Sequence, residues 1–107
     1  MKSKQALHEN CRLQIIQSLR SPYIGTCTVR LEEEHLTIDY VKDGERLLWR
    51  CTERTPGHYD CELENKNVES YASLHQFQRG TFWEGYLRIK KGPTVFEGMW
   101  RITLPLP

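Results

Sequence analysis

The chain has 107 residues, a formal net charge of +1, 38% hydrophobic residues and 27% charged ones. That length fits one domain, which buries roughly 65% of its extended surface and so builds one modest core. A charge this close to zero excludes general attraction to nucleic acid or anionic lipid, and no apolar run reaches the roughly 18 residues of a membrane-spanning helix.

Residues 5–20 read as an amphipathic helix. Leu7, Cys11, Ile15 and Leu19 recur every four residues, with Ile16 beside them, and Ser21-Pro22 ends the pattern. Such a helix is too short to persist alone in water, so its apolar stripe is expected to pack on the strands C-terminal to it. Docking on a partner is the other use of such a stripe. Met1 to Arg20 lacks the continuous apolar stretch of a secretory leader, which makes a cytoplasmic setting and four reduced cysteines the expectation.

From Tyr23 onward the period changes to two, the repeat of a pleated strand. Tyr23, Gly25, Cys27, Val29 and Leu31 share one face of a first predicted strand, and Glu32-Glu33-Glu34 bends the chain. A second strand, His35 to Lys42, carries Leu36, Ile38 and Tyr40 inward. Asp43-Gly44 then signals a two-residue type I′ turn. Pairing around it sets Tyr40 against Leu47, Ile38 against Trp49 and Leu36 against Cys51, so the apolar faces coincide. After Thr55-Pro56-Gly57, a loop of three or five residues would set Cys51 against Cys61 and Trp49 against Leu63, with a strand from His58 to Glu64. Asn65-Lys66-Asn67 is a turn. For Val68 to Phe77 two strand registers stay open, Ala72 and Leu74 inside, which volume and polarity favour, or Tyr71, Ser73, His75 and Phe77 inside, which the following loop favours; a short helix is a third reading. Gln78-Arg79-Gly80 is a loop.

The last stretch states one phrase twice, Thr81-Phe82-Trp83-Glu84-Gly85-Tyr86-Leu87-Arg88-Ile89 and Thr94-Val95-Phe96-Glu97-Gly98-Met99-Trp100-Arg101-Ile102. Both copies alternate, with Trp83, Gly85, Leu87 and Ile89 on the face shared with Phe96, Gly98, Trp100 and Ile102. A turn centred on Lys91-Gly92 would oppose Trp83 to Trp100 and Gly85 to Gly98. The expected fold is therefore all-β, over residues 22–104. It is an antiparallel meander of about seven strands closed or nearly closed into a small barrel, with the N-terminal helix packed against it. Pairing of the Tyr23–Leu31 strand with the last would complete the closure.

Phe96-x-Gly98-x-Trp100 resembles the Gly-x-Trp strand signature of calycins, the superfamily of lipocalins, fatty-acid-binding proteins and avidins, although it stands on the last strand and not the first. The resemblance implies an up-and-down barrel and no particular ligand residue.

Few residue sets could carry chemistry. Cys51, His58 and Cys61 have no fourth partner for the tetrahedral site that structural zinc requires, and their simplest role is as small buried thiols. Ser73-Leu74-His75 lacks the Gly-x-Ser-x-Gly turn of a nucleophilic serine. Arg46, Arg50 and Arg54 face His58, Asp60 and Glu62 across strands, a solvated lattice more than a nucleic-acid groove. No metal, cofactor or catalytic constellation is thus expected. The aromatics remain: Trp49, Trp83, Trp100 and Tyr40 share the interior, and each buried indole N–H requires an acceptor. They are either plain core or the lining of a pocket. The expected function is non-enzymatic, a binding barrel for a small apolar or aromatic ligand among those four residues. The alternative is an interaction module that oligomerises, or docks on a partner, through a sheet face or edge.

Overall fold

The computed structural model describes residues 5–17, 20–33, 35–65, 67–76 and 80–105. Its strands are β1 (Gln5–Ile16), β2 (Tyr23–Glu32), β3 (His35–Lys42), β4 (Glu45–Thr55), β5 (His58–Leu63), β6 (Glu69–His75), β7 (Phe82–Lys91) and β8 (Thr94–Thr103). All pairings are antiparallel between chain neighbours, and β1 joins β8 to close the barrel. The up-and-down architecture is the expected one, but it has eight strands and, among the described residues, no helix. No helix there is long and apolar enough to cross a membrane.

The additional strand is the segment read as a helix. A spacing of four residues suits a helix, but four is also twice the strand repeat, so Cys11 and Ile15 do not separate the two. Leu13 between them does: Cys11, Leu13 and Ile15 are buried in strict alternation. Leu13 has Gly25 as ladder partner on one side and Ile102 on the other. A bulge between His8 and Cys11 holds Asn10 at φ 59°, a left-handed conformation that asparagine tolerates better than most residues. The bulge reverses the alternation and turns Leu7 outward, half-exposed. Because β1 lies between them, β2 and β8 do not pair as expected. Leu19, Glu34, Lys66 and the Phe77-Gln78-Arg79 part of the expected elements lie outside the described residues.

Turn chemistry fixes the other registers. Asp43 (φ 53°) and Gly44 (φ 77°) both take the positive φ that a type I′ turn requires, and the β3–β4 ladder has the expected Tyr40–Leu47, Ile38–Trp49 and Leu36–Cys51 partners. Between β4 and β5 the expected Cys51–Cys61 and Trp49–Leu63 partners form, but through a shorter loop. Thr55 pairs with His58 around Pro56-Gly57, and a bulge between Glu53 and Thr55 absorbs the odd residue. In β6, Ala72 and Leu74 are the buried pair.

The final hairpin turns at Gly92-Pro93, one residue later than expected, with Lys91 opposite Thr94. Gly92 at φ 56° followed by the fixed negative φ of proline is the order of a type II′ loop. The slip of two in partner numbering keeps every face and changes every partner. Trp83 meets Ile102 instead of Trp100, Gly85 meets Trp100, and Leu87 meets Gly98. Each glycine thus faces a large side chain, which evens the filling of the interior. That interior is apolar: the buried set among the described residues contains no charged or polar residue.

Candidate functional site

Trp49, Trp83, Trp100 and Tyr40 all point into the barrel and are buried. Trp49 and Trp100 stack at 5.2 Å between ring centroids, tilted by 53°. Trp49 donates its indole N–H to the Tyr40 hydroxyl at 3.1 Å, and Trp100 donates to the Ser73 carbonyl at 3.1 Å. The Trp83 indole N–H has no partner among the described residues. Burial, partly offset by the bond from Trp49, pushes the Tyr40 hydroxyl up to about 12, so it keeps its proton at neutral pH.

A concavity of about 210 Å³ opens at the barrel end where the two type-primed turns lie together. Two ladder pairs face one another across it, Tyr40–Leu47 from the β3–β4 hairpin and Ile89–Phe96 from the β7–β8 hairpin, with Ile15 of β1 beside them. The rim is charged. The Lys91 ammonium lies 2.7 and 2.9 Å from the two carboxylate oxygens of Glu45, which ties one hairpin tip to the other. Lys42 bonds Asp43 at 3.1 Å and lies 4.8 Å from the Phe96 ring centroid and 5.4 Å from that of Tyr23, its aliphatic stem covering apolar surface as long cationic side chains do.

Of the four residues expected to bind a ligand, Tyr40 lines this mouth. Trp49 stands behind it through the shared hydrogen bond. Trp100 lies against Trp49, and Trp83 sits opposite Ile102 on the neighbouring strand. Sequence reasoning placed Leu47, Ile89 and Phe96 on the interior face but did not single them out, and it missed Lys42 and Lys91. The available signal was positional: each lysine immediately precedes the two-residue turn of its hairpin, and both hairpins run the same way in an up-and-down barrel.

The other polar clusters sit elsewhere. Cys11 and Cys27 are ladder partners, as are Cys51 and Cys61, and all four are buried and free. Burial pushes the Cys27 thiol up to about 12; a hydrogen bond that Cys61 donates to Cys51, together with burial, raises the Cys61 thiol. His58 stands outside the barrel, away from both sulfurs, with its Nδ1 3.1 Å from that of its ladder partner His75. Its Nε2 lies 3.6 Å from Asp60, which Arg54 holds at 2.9 Å. Among the described residues no three His, Cys, Asp or Glu side chains converge as a metal site. Ser73 accepts the Tyr86 backbone N–H at 3.4 Å. No protein-family model matches the chain, and no curated protein matches it.

Proposed function

We propose that the protein is a non-enzymatic binding barrel whose mouth takes one small aromatic or apolar molecule carrying a single polar group. The observation that carries the reading is the concavity of about 210 Å³ with an apolar floor, Tyr40 in its wall and charges confined to its rim. An apolar cavity of about 150 Å³ suffices for benzene, whereas drug-sized pockets begin near 300 Å³. The occupant is therefore a substituted single ring or a short aliphatic chain. Its apolar part displaces water from Ile15, Leu47, Ile89 and Phe96. The Tyr40 hydroxyl accepts from Trp49 and retains its own proton to donate to the ligand, while the lysine and carboxylate rim accommodates the polar end.

Benzoate, benzylamine, indole and hexanol, titrated separately into the protein with tryptophan emission and amide chemical shifts recorded, test this reading. At least one should saturate with shifts at Tyr40, Leu47 and Phe96. Leu47→Trp, which fills the mouth, should abolish that saturation without lowering the thermal midpoint. Absence of saturable shifts at the mouth with all four probes would remove the proposal.

A further inference from the structure

The repeated phrase gives the outer face of the β7–β8 hairpin a particular order. Its ladder sets Glu84 beside Arg101, Tyr86 beside Met99, and Arg88 beside Glu97. The acid is on β7 at one end and on β8 at the other, because two copies of one phrase run antiparallel. The apolar surface continues sideways: Ile16 on β1 is the ladder partner of Met99, and on the other side Tyr71 of β6, the ladder partner of Arg88, leans diagonally to within 6.2 Å of Tyr86 between ring centroids. Tyr71, Met99 and Ile16 are 49%, 48% and 48% exposed. An apolar band therefore crosses four adjacent strands, about 14 Å at the usual strand spacing, with a mixed-charge row on either side. Scattered apolar residues on a surface are ordinary, but a contiguous band with a polar rim marks an interaction surface. Closure of the barrel pairs every strand on both sides, so association uses a face and not an edge.

The charge order identifies what covers the band. Two sheets that pack face to face are related by a two-fold axis lying in the interface. With the axis along the strands, Glu84 meets Arg101 of a second copy and Arg88 meets Glu97 of that copy. With the axis across the strands, Glu84 meets Arg88 of the second copy and Arg101 meets its Glu97. Opposite charges meet in both cases, and the Tyr86–Met99 row stacks on itself. The charged side chains keep exposed area for a second partner, 47% and 39% in the Arg101–Glu84 pair and 43% and 57% in the Arg88–Glu97 pair, although Glu97 already accepts the Tyr86 hydroxyl at 2.7 Å and Arg101 lies over the Phe82 ring. We propose that this face binds a second copy of the chain, forming a symmetric dimer through the outer surface of β7 and β8 with Tyr71 and Ile16 at its flanks.

Sedimentation of the whole chain from micromolar to submillimolar concentration tests it. The wild type should associate to a dimer in that range. Met99→Glu should weaken association at least tenfold with its circular dichroism and dilute thermal midpoint unchanged, and Tyr71→Glu gives the same reading if Met99→Glu fails to fold. Two double swaps, E84R/R101E and R88E/E97R, keep the pairing within each chain. If the axis lies along the strands, each swap dimerises alone. If it lies across them, each is monomeric alone and the mixture dimerises. A monomeric wild type, dimerisation indifferent to charge at positions 99 and 71, or swaps that associate neither alone nor mixed would each overturn the proposal.

Discussion

Trp100 bonds the Ser73 carbonyl at 3.1 Å by passing over Gly85, its own ladder partner. A Cβ at position 85 would collide with that same carbonyl. The β6–β7 ladder has partners at Ala72 and His75 but none at Ser73 and Leu74, so the Ser73 carbonyl is left for the indole. Gly85→Ala should therefore displace β6 and break the bond together, with a loss of about 2 to 4 kcal/mol in urea unfolding and a weakened near-ultraviolet tryptophan signal. A loss below about 0.5 kcal/mol would show that the close approach is not required.

Trp83 offers the matching control. Its indole N–H is buried without a partner among the described residues, a condition that costs about 1 to 3 kcal/mol. Trp83→Phe removes that cost along with part of the ring, whereas Trp100→Phe forfeits a hydrogen bond. Both substitutions delete the same atoms, so Trp83→Phe should be milder by about 1 to 2 kcal/mol in parallel denaturation curves. Equal losses would contradict this difference between the two sites.

The bulge in β1 depends on the left-handed backbone at Asn10. Asn10→Gly should leave stability within a few tenths of a kcal/mol, while the β-branched Asn10→Val should cost about 1 to 2 kcal/mol. Chemical denaturation of the pair reads the difference directly, since the exposed side chain at position 10 makes little packing contribution.

Alkali should unfold the barrel through its buried acids. Burial, with a contribution from the Cys11 charge, raises Cys27 from 9.0 to about 12. Burial likewise raises Tyr40 from 10.0 to about 12. The folded chain holds these protons after the unfolded chain has released them, so their contribution is complete below about pH 9 and is lost as pH rises towards 12. In that window stability should fall by about 1.4 kcal/mol per pH unit for each group ionised only in the unfolded state. Urea midpoints across the range measure the slope, and Cys27→Val should make it shallower. An unchanged slope in that variant would show that Cys27 does not contribute.

The fold was legible wherever a local signal and the face pattern agreed. Asp43-Gly44 dictated its turn, and the apolar positions of β3, β4 and β5 then admitted one register. In β6 the two disagreed: volume and polarity favoured Ala72 and Leu74 inside, the Gln78-Arg79-Gly80 loop favoured Tyr71, Ser73, His75 and Phe77, and the register stayed open. Residues 5–16 were misread because Leu7 and Cys11 lie on opposite sides of a bulge: a helical spacing arose from two strand phases joined at Asn10. The last hairpin was misplaced by one residue because Lys91 reads as turn material although it pairs with Thr94. The mouth was only half visible. Interior positions follow from alternation, but which of them lie at the open end depends on how the strands stagger around the ring, a property of the closed barrel and not of any one hairpin.

The seam between β1 and β8 joins residues such as Arg12 and Thr103, from near the two ends of the chain. During synthesis, hairpins from β2 to β7 can form one after another as they emerge, each from neighbouring sequence. The ring itself has to wait for its final strand, and until then β1 and β7 each present an unpaired edge to the cell. Loss of the ten residues of β8 would thus do more than shorten the protein; it would leave a half-built cylinder able to recruit strands from other molecules.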